Sequence, residues 1–442
     1  MMTVKMKRTF SVVATLSICA FLLGGAWTFL LSENTVKDVY KNLQLFAKVY
    51  DLVKRQYVEE PKDEVLVQGA IRGMLEGLDP HSAFMNKEEF TEMQSDSKGE
   101  FGGLGIEIAK KNGMLTVISP IEDTPAFEAG IKSGDVIVKI GDQLTDKISI
   151  FDAVKIMRGK PGSPIEIWVR REGKENLMQF KMKRARINVK SVTAKEVEGY
   201  PVIKIKQFLE RTSDEMHKSL KEYASKAPIK GVVLDLRNNP GGLLQQAVEV
   251  ADTFIEKGLI VYTQGRDKAQ VDKKFAVAKG TEPNYPLVVL INGGSASASE
   301  IVAGALQDQT PPRAHIMGTQ SFGKGSVQNV IPLEDGSGIK LTVALYYTPK
   351  SRMIQGLGIT PDEIVKPLDD AVALLREKDL PGHIIGKNET KDEKGAEKLI
   401  EKAAAKKAAD TSKLTALEKE DFQLSKAIAY LKSKQPNIAV KK

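Results

Sequence analysis

Apolar and polar positions change rhythm along the chain, and each change predicts an element. Phe10 to Leu31 is an apolar run without a charge. About 20 such residues suffice to cross a bilayer as a helix. From residue 35 to 60, Val39, Leu43, Phe46, Tyr50, Val53 and Tyr57 recur at alternating spacings of four and three, which predicts a helix. Leu45, Val49 and Leu52 form a second stripe. Two apolar faces call for two partners, its own domain and a second subunit, unless both are absorbed by one core. Residues 63–92 read as helical again, broken by Gly77-Leu78-Asp79-Pro80.

The rhythm then shortens. After the glycines 99, 102, 103 and 105 come β-type runs at 106–108, 115–118, 135–140 and 165–169. Pro125–Gly130 and a predicted helix at Ile150–Met157 lie between them, the order of a small β-barrel module. Residues 200–365 alternate strand and helix. Gly231–Leu236 and Leu287–Ile291 read as buried strands, and 243–257 and Ala298–Gln307 as helices, which predicts an α/β core. Residues 387–413 are Lys, Ala and Glu with almost no large apolar side chain, the pattern of a mobile insert. Leu424, Ile428 and Leu431 restore a helical period and predict a closing helix.

Charge sharpens this division. The formal net charge is +8, but Lys5, Lys7 and Arg8 contribute +3, and residues 387–442 hold 14 Lys against 9 Asp or Glu, +5. The remaining body is neutral (8 − 3 − 5 = 0), which argues against a nucleic-acid-binding surface. The basic flank before the apolar run is the pattern of a signal peptide or membrane anchor. Its length favours a retained anchor, while Gly24-Gly25-Ala26 offers a cleavage site. Either way the positive-inside rule puts the chain after Leu31 outside the cytoplasm, in the periplasm or cell envelope. One cysteine excludes an intrachain disulfide framework, and the four histidines show no metal-ligand spacing, so no metal or other cofactor is expected.

Candidate chemistry gathers between Asn292 and Gln328. Asn292-Gly293-Gly294-Ser295-Ala296-Ser297-Ala298-Ser299-Glu300 joins a predicted strand to a helix. A serine there stands at a helix N-terminus, where free N–H groups favour an oxyanion. Any of the three serines also suits an N-cap. A nucleophilic serine needs a base. His315, in the Pro-rich turn Pro311-Pro312-Arg313-Ala314-His315, reads as a surface residue, although Ala314–Met317 also fits a strand. Lys324, between Gly323 and Gly325, is a base if desolvation lowers its pKa. Gly318–Lys324 also mimics a phosphate-binding loop, but Gly325 stands where the magnesium-binding hydroxyl belongs. Asp235–Gly242 follows a strand and can aim Gly241 and Gly242 N–H groups at a carbonyl oxygen.

The chain resembles the carboxyl-terminal processing proteases, serine–lysine peptidases with an embedded PDZ domain. The resemblance rests on GLDPHSAF (77–84), FGGLGIEI (101–108), PAFEAGIKSGDVI (125–137), MRGKPG (157–162), LDLRNNPGG (234–242), NGGSASASEIVAGALQD (292–308), SFGKGSVQ (321–328) and YYTPKSRMIQGLGITPD (346–362). It implies a multidomain α/β protein, with a crotonase/ClpP-like core and an inserted PDZ β-barrel between helical terminal regions. The implied division is 1–31 leader or anchor, 32–95 helical region with a dimerising role, 96–185 PDZ domain, 186–368 protease core, and 369–442 C-terminal region containing the insert. The implied roles are Ser297 as nucleophile, Lys324 as general base, and Gln328 as the residue orienting the lysine amine. Ala298 with Gly241 or Gly242 would form the oxyanion hole. Gly103-Leu104-Gly105-Ile106 would bind a substrate's terminal carboxylate, with the next strand adding the peptide by β-augmentation. Arg158 is a candidate link between PDZ domain and active site, or else a structural ion pair. The expected activity is endoproteolysis of envelope proteins or peptides with apolar C-termini, by a homo-oligomer that an adaptor protein would assist and that the N-terminal segment would tie to the inner membrane.

Overall fold

The computed structural model describes residues 38–111, 113–368, 375–386 and 415–435. The leader reading (1–31) and the insert reading (387–413) lie outside the described residues. No helix among the described residues is long and apolar enough to cross a membrane. The chain divides into two compact units, Met1–Met74 and Leu75–Lys442.

In the first unit a helix, α1, covers 38–56. Most of both its apolar stripes faces outward: Val39, Leu43, Leu45, Phe46, Val49 and Leu52 are exposed, whereas Tyr50 and Val53 are half-buried. The next helix, α2 (Asp63–Glu76), is tied to α1 by a Lys54–Asp63 ion pair of 2.8 Å.

The helical expectation for 63–92 needs a correction. Between α2 and α3 (Lys87–Lys98) lies a strand, β1 (Ala83–Met85). Its partner lies more than 250 residues ahead: Ala83, Phe84 and Met85 pair with Lys340, Ile339 and Gly338. Nothing local announces that pairing. Asn86 then starts α3 with a capping box, its side chain accepting from the Glu89 N–H and the Glu89 carboxylate from the Asn86 N–H.

The inserted module begins with β2 (Glu100–Gly103), β3 (Ile106–Lys111) and β4 (Met114–Pro120), then the short helix α4 (Pro125–Glu128). It continues through β5 (Val136–Ile140), β6 (Gln143–Leu144), α5 (Ile150–Met157), β7 (Pro164–Arg170), β8 (Met178–Lys183) and β9 (Ala185–Asn188). Its sheet runs β3-β4-β5-β7-β8, with β6 on β5, so one edge of β3 is unpaired. β2 and β9 form a two-stranded neck. A Ser149–Asp152 capping box starts α5, and the Arg184 guanidinium covers its last carbonyls, Ile156 (2.7 Å) and Met157 (3.0 Å).

The core follows: β10 (Val192–Val197), β11 (Tyr200–Ile205), α6 (Thr212–Lys226), β12 (Val232–Asp235), α7 (Leu244–Asp252), β13 (Leu259–Gly265), β14 (Val271–Phe275) and β15 (Leu287–Ile291). After it come α8 (Ala298–Asp308), β16 (His315–Gly318), β17 (Ser326–Pro332), β18 (Gly338–Tyr347) and β19 (Glu363–Ile364). Helix α7 stops five residues short of its expected end. β11, β12, β15, β16 and β19 form a parallel sheet with β10 antiparallel at its edge. β1, β18, β13, β14 and β17 form a second, antiparallel sheet.

The closing helices are α9 (Ala416–Glu420) and α10 (Phe422–Ser433). They explain why β15 is apolar at every position and β12 at all but Asp235. Val232, Leu234, Leu287, Val289 and Ile291 face α6, α7 and α8, whereas Val233, Val288 and Leu290 face Leu424, Ala427, Ile428 and Leu431 of α10. A parallel sheet covered on both faces requires such continuous runs. Ile428 is fully enclosed there. Ile428→Ala should therefore cost about 2–5 kcal/mol of stability, read as a lowered urea midpoint for the unit that holds the core.

Candidate functional site

The three serines of the 292–300 turn are not equivalent. The Ser295 hydroxyl is fully buried, donates to the Leu236 carbonyl (2.8 Å) and accepts from the Asn292 N–H (2.9 Å). The Ser299 hydroxyl, also buried, donates to the Asn239 carbonyl (3.0 Å). Both stitch this turn to the 235–242 turn. Ser297 is only half-buried and sits at φ 52°, ψ −111°, a backbone conformation that L residues rarely adopt. Such strain is held in place by surrounding contacts and clusters at functional sites.

Glu300 supplies those contacts. Its carboxylate is buried and accepts four hydrogen bonds: Oε2 from the N–H groups of Ser297 (2.8 Å) and Lys324 (2.9 Å), Oε1 from the Ser321 hydroxyl (2.6 Å) and the Gly323 N–H (2.6 Å). One oxygen thus holds the backbones of Ser297 and Lys324 together. Burial pushes the Glu300 pKa up to about 7, even against four donors. The loop is pinned further by the Phe322 N–H on the Ser295 carbonyl (3.0 Å).

Lys324 is half-buried, and its amine is held below the usual lysine range. Desolvation is the main cause, aided by the Lys340 charge and opposed by the carboxylates of Glu377, Asp79 and Glu300. The Lys324 amine makes no hydrogen bond or ion pair with another described residue, and the Ser297 hydroxyl donates to none. Their backbones meet at one Glu300 oxygen, but the two side chains are not hydrogen-bonded to each other.

The 235–242 turn closes the other side. A Cβ placed on Gly241 would lie 2.9 Å from the Ser297 Cβ and 3.0 Å from the Ala298 nitrogen. The Gly241 N–H is already spent on the Asn239 side-chain oxygen (2.9 Å). The N–H groups of Gly242 and Ala298 have no acceptor among the described residues. Gly242, at φ +143°, packs so closely that a Cβ would meet the Phe208 carbonyl oxygen at 2.1 Å. Arg237 anchors the turn from behind through Asp235 (2.8 Å) and Asp421 (2.7 Å), the residue that caps α10.

The other sequence-predicted residues fall as follows. Gln328, on β17, donates to the Ser326 (2.9 Å) and Thr342 (3.2 Å) hydroxyls and makes no bond to Lys324. Arg158 pairs with Glu92 (2.7 Å) and Asp96 (3.1 Å) of α3 and lies over the Phe101 ring, so it engages the helix before the module. Gly103 ends β2, and Leu104 and Gly105 lead into β3 at Ile106. The Leu104 and Gly105 carbonyls are taken by Ala126 and Ile121, while their N–H groups have no acceptor among the described residues. His315 is not a surface residue in a turn: it lies on β16, half-buried, stacked on Tyr430 at 4.3 Å. The phosphate-loop reading fails as well, because a phosphate loop opens a helix and Lys324-Gly325 opens strand β17. Residues not singled out from sequence also meet here: Glu300, Gln355, Glu377, and Asp79 with His81 from the GLDPHSAF stretch. All of these but Glu377 lay inside quoted motifs, but a single Glu or Gln carries no signal of burial in the sequence.

Comparison with known proteins gives three model matches: peptidase family S41 at residues 199–365, a PDZ domain at 102–194, and the "activating protease CtpB N-terminal domain" at 28–89. A carboxy-terminal-processing protease of Bartonella bacilliformis is 45% identical over 378 residues, 84% of this chain and 87% of that protein. Carboxy-terminal processing protease CtpB of Bacillus subtilis is 36% identical over 334 residues, 74% of this chain and 69% of that protein. A solved structure of a photosystem II D1 C-terminal processing protease, 30% identical, aligns over 73% of this chain and 93% of that chain at a TM-score of 0.46.

The four-donor carboxylate makes a direct prediction. Glu300→Gln places an amide NH₂ where every neighbour is a donor, leaving buried N–H groups unpaired at about 1–3 kcal/mol each. The variant should show a lower urea midpoint than wild type, measured at pH 7 and again at pH 6.

Proposed function

As a member of peptidase family S41, to which this chain belongs, the protein is a serine-type carboxy-terminal processing protease, and we propose that Ser297 is its nucleophile and Lys324 its general base. The observation that carries the assignment is the shared oxygen of Glu300, which draws the Ser297 and Lys324 backbones into one site. Supporting it, Ser297 is the serine of the three whose hydroxyl is not spent on a carbonyl of the 235–242 turn, and Lys324 is desolvated. A lysine that loses charge readily can accept a proton near neutral pH.

The proposed reaction runs as follows. The neutral Lys324 amine takes the Ser297 hydroxyl proton as the oxygen attacks the scissile carbonyl carbon. The resulting oxyanion is held by the N–H groups of Gly242 and Ala298, which are open to an acceptor, whereas the Gly241 N–H is committed elsewhere. The lysine ammonium gives its proton to the departing amine. Water then enters, loses a proton to Lys324 and attacks the acyl carbon; the Ser297 oxygen leaves, takes that proton back from the lysine ammonium, and the acid product is released. Because the two side chains are not hydrogen-bonded here, the lysine must first swing onto the serine. Catalytic hydrogen bonds commonly tighten only with substrate present. Gln328 would orient the amine after that movement.

Substrate choice is assigned to the PDZ domain. The open N–H groups of Leu104 and Gly105 suit a terminal carboxylate, and the unpaired edge of β3 suits an added strand. Ile106, Ile108 and Ile150, partly buried against the module's core, favour an apolar terminal residue. The exposed stripes of α1 support a homo-oligomer. The basic flank and apolar run at 5–31 support export to the cell envelope, with protein substrates there.

Ser297→Ala should abolish cleavage of a peptide ending in an apolar residue, and Lys324→Ala should lower kcat by roughly 100-fold or more, with both proteins folded by circular dichroism. Full activity in either variant overturns the dyad. The wild-type rate should fall as pH drops through the lowered Lys324 pKa, because the protonated amine is no base. C-terminal amidation of the peptide should weaken binding roughly 10-fold or more, and titration by fluorescence anisotropy checks this.

A further inference from the structure

Residues 375–386 return to the site from beyond the S41 match, which ends at 365. They carry Glu377, fully buried, in a single 3₁₀ turn (Glu377–Asp379). The Glu377 N–H donates to the Phe322 carbonyl (3.1 Å), two residues before Lys324. Its carboxylate meets the His81 Nε2 at 2.9 Å through either oxygen and accepts from the Gln355 Nε2 (3.0 Å). The same Gln355 accepts from the Gly325 N–H (3.0 Å), the residue after Lys324. The Gly356 N–H donates to the Gly323 carbonyl (2.9 Å). Glycine is required on both sides: a Cβ on Gly325 would lie 2.2 Å from the Gln355 nitrogen, and one on Gly323 3.0 Å from the Gly356 carbonyl carbon.

We infer that Glu377 is a positioning residue for the catalytic lysine: the segment after the core clamps the 322–325 loop through Glu377, Gln355 and His81, and brings a carboxylate to bear on the Lys324 amine. The inference rests on the reading of Lys324 as base. The titratable groups around that amine are Lys340, Glu377, Asp79 and Glu300, and those around the Glu377 carboxylate are His81 and Lys324. Against burial, hydrogen bonds from His81 and Gln355 hold Glu377 below its ordinary pKa, so its negative charge persists through neutral pH. That charge opposes desolvation and keeps the lysine pKa higher than it would otherwise be.

The test follows covalent labelling of the full chain by a fluorophosphonate, which reports serine activation without peptide binding. Glu377→Gln should label roughly 10- to 100-fold more slowly, and the acidic limb of its pH profile should move to lower pH, because the lysine has lost a stabilising negative neighbour. Slower labelling with an unmoved limb marks a merely structural role and overturns the proposal, as does wild-type labelling. Gln355→Leu, which keeps the charge but cuts the tie to Gly325, should slow labelling with the limb unmoved. It serves if Glu377→Gln melts early, and wild-type labelling from it also overturns the proposal. Lys324→Ala separates the two readings: if it labels with the wild-type limb, the dyad itself fails; if it does not label and Glu377→Gln behaves as wild type, only this inference fails.

Discussion

The buried carboxylate of Glu300 is the constraint on which the site depends. It stands at the first turn of α8, where helix N–H groups have no intrahelical acceptor, and accepts from the Ser297 N–H and from three donors of the 321–324 loop. A carboxylate in that position costs desolvation energy, and only dense hydrogen bonding offsets it. The return is geometric. Ser297 is held in a backbone conformation it would not choose, and the lysine loop, 24 residues from Glu300 along the chain, is fixed to the same oxygen.

Around that centre the site is assembled from sequence-distant pieces. The 235–242 turn is bound by Ser295 and Ser299 from the front and by Arg237 with Asp421 from behind. The loop after α2 contributes Asp79, whose carboxylate takes the Ser82 hydroxyl and the Thr342 hydroxyl that also bonds Gln328. Chain on both sides of the core therefore supports the Lys324 loop, and α10 supports the 235–242 turn. The core sheet alone, without its C-terminal helix, would expose the face formed by Val233, Val288 and Leu290.

The inserted module is built on a different principle. Its own apolar core, with Val117, Ile137, Ile167 and Val169 at the centre, is separate from that of the peptidase sheet. Its attachments are few and specific: the β2–β9 neck, and Arg158 on α3. A free strand edge beside open N–H groups is a liability in most folds and an asset in a peptide-binding one. The Arg158 pair with Glu92 and Asp96 is half-exposed, so it fixes orientation more than it adds stability.

The sequence by itself determined the elements whose physics is local. Continuous apolar runs gave the strands at 232–235 and 287–291, a heptad-like period gave the helix at 38–56, and Ile150–Met157 forms the helix expected between the β-type runs. The motif stretches marked Ser297 and Lys324. Tertiary structure decided what local pattern cannot encode. β1 exists only because β18 offers it an edge, and His315 is drawn from its expected turn onto a strand under Tyr430. Which glycine keeps an open N–H depends on Asn239 reaching Gly241. The roles of Glu300 and Glu377 depend on burial among donors from elsewhere in the chain, since a carboxylate's partners are set by folding and not by its neighbours in sequence.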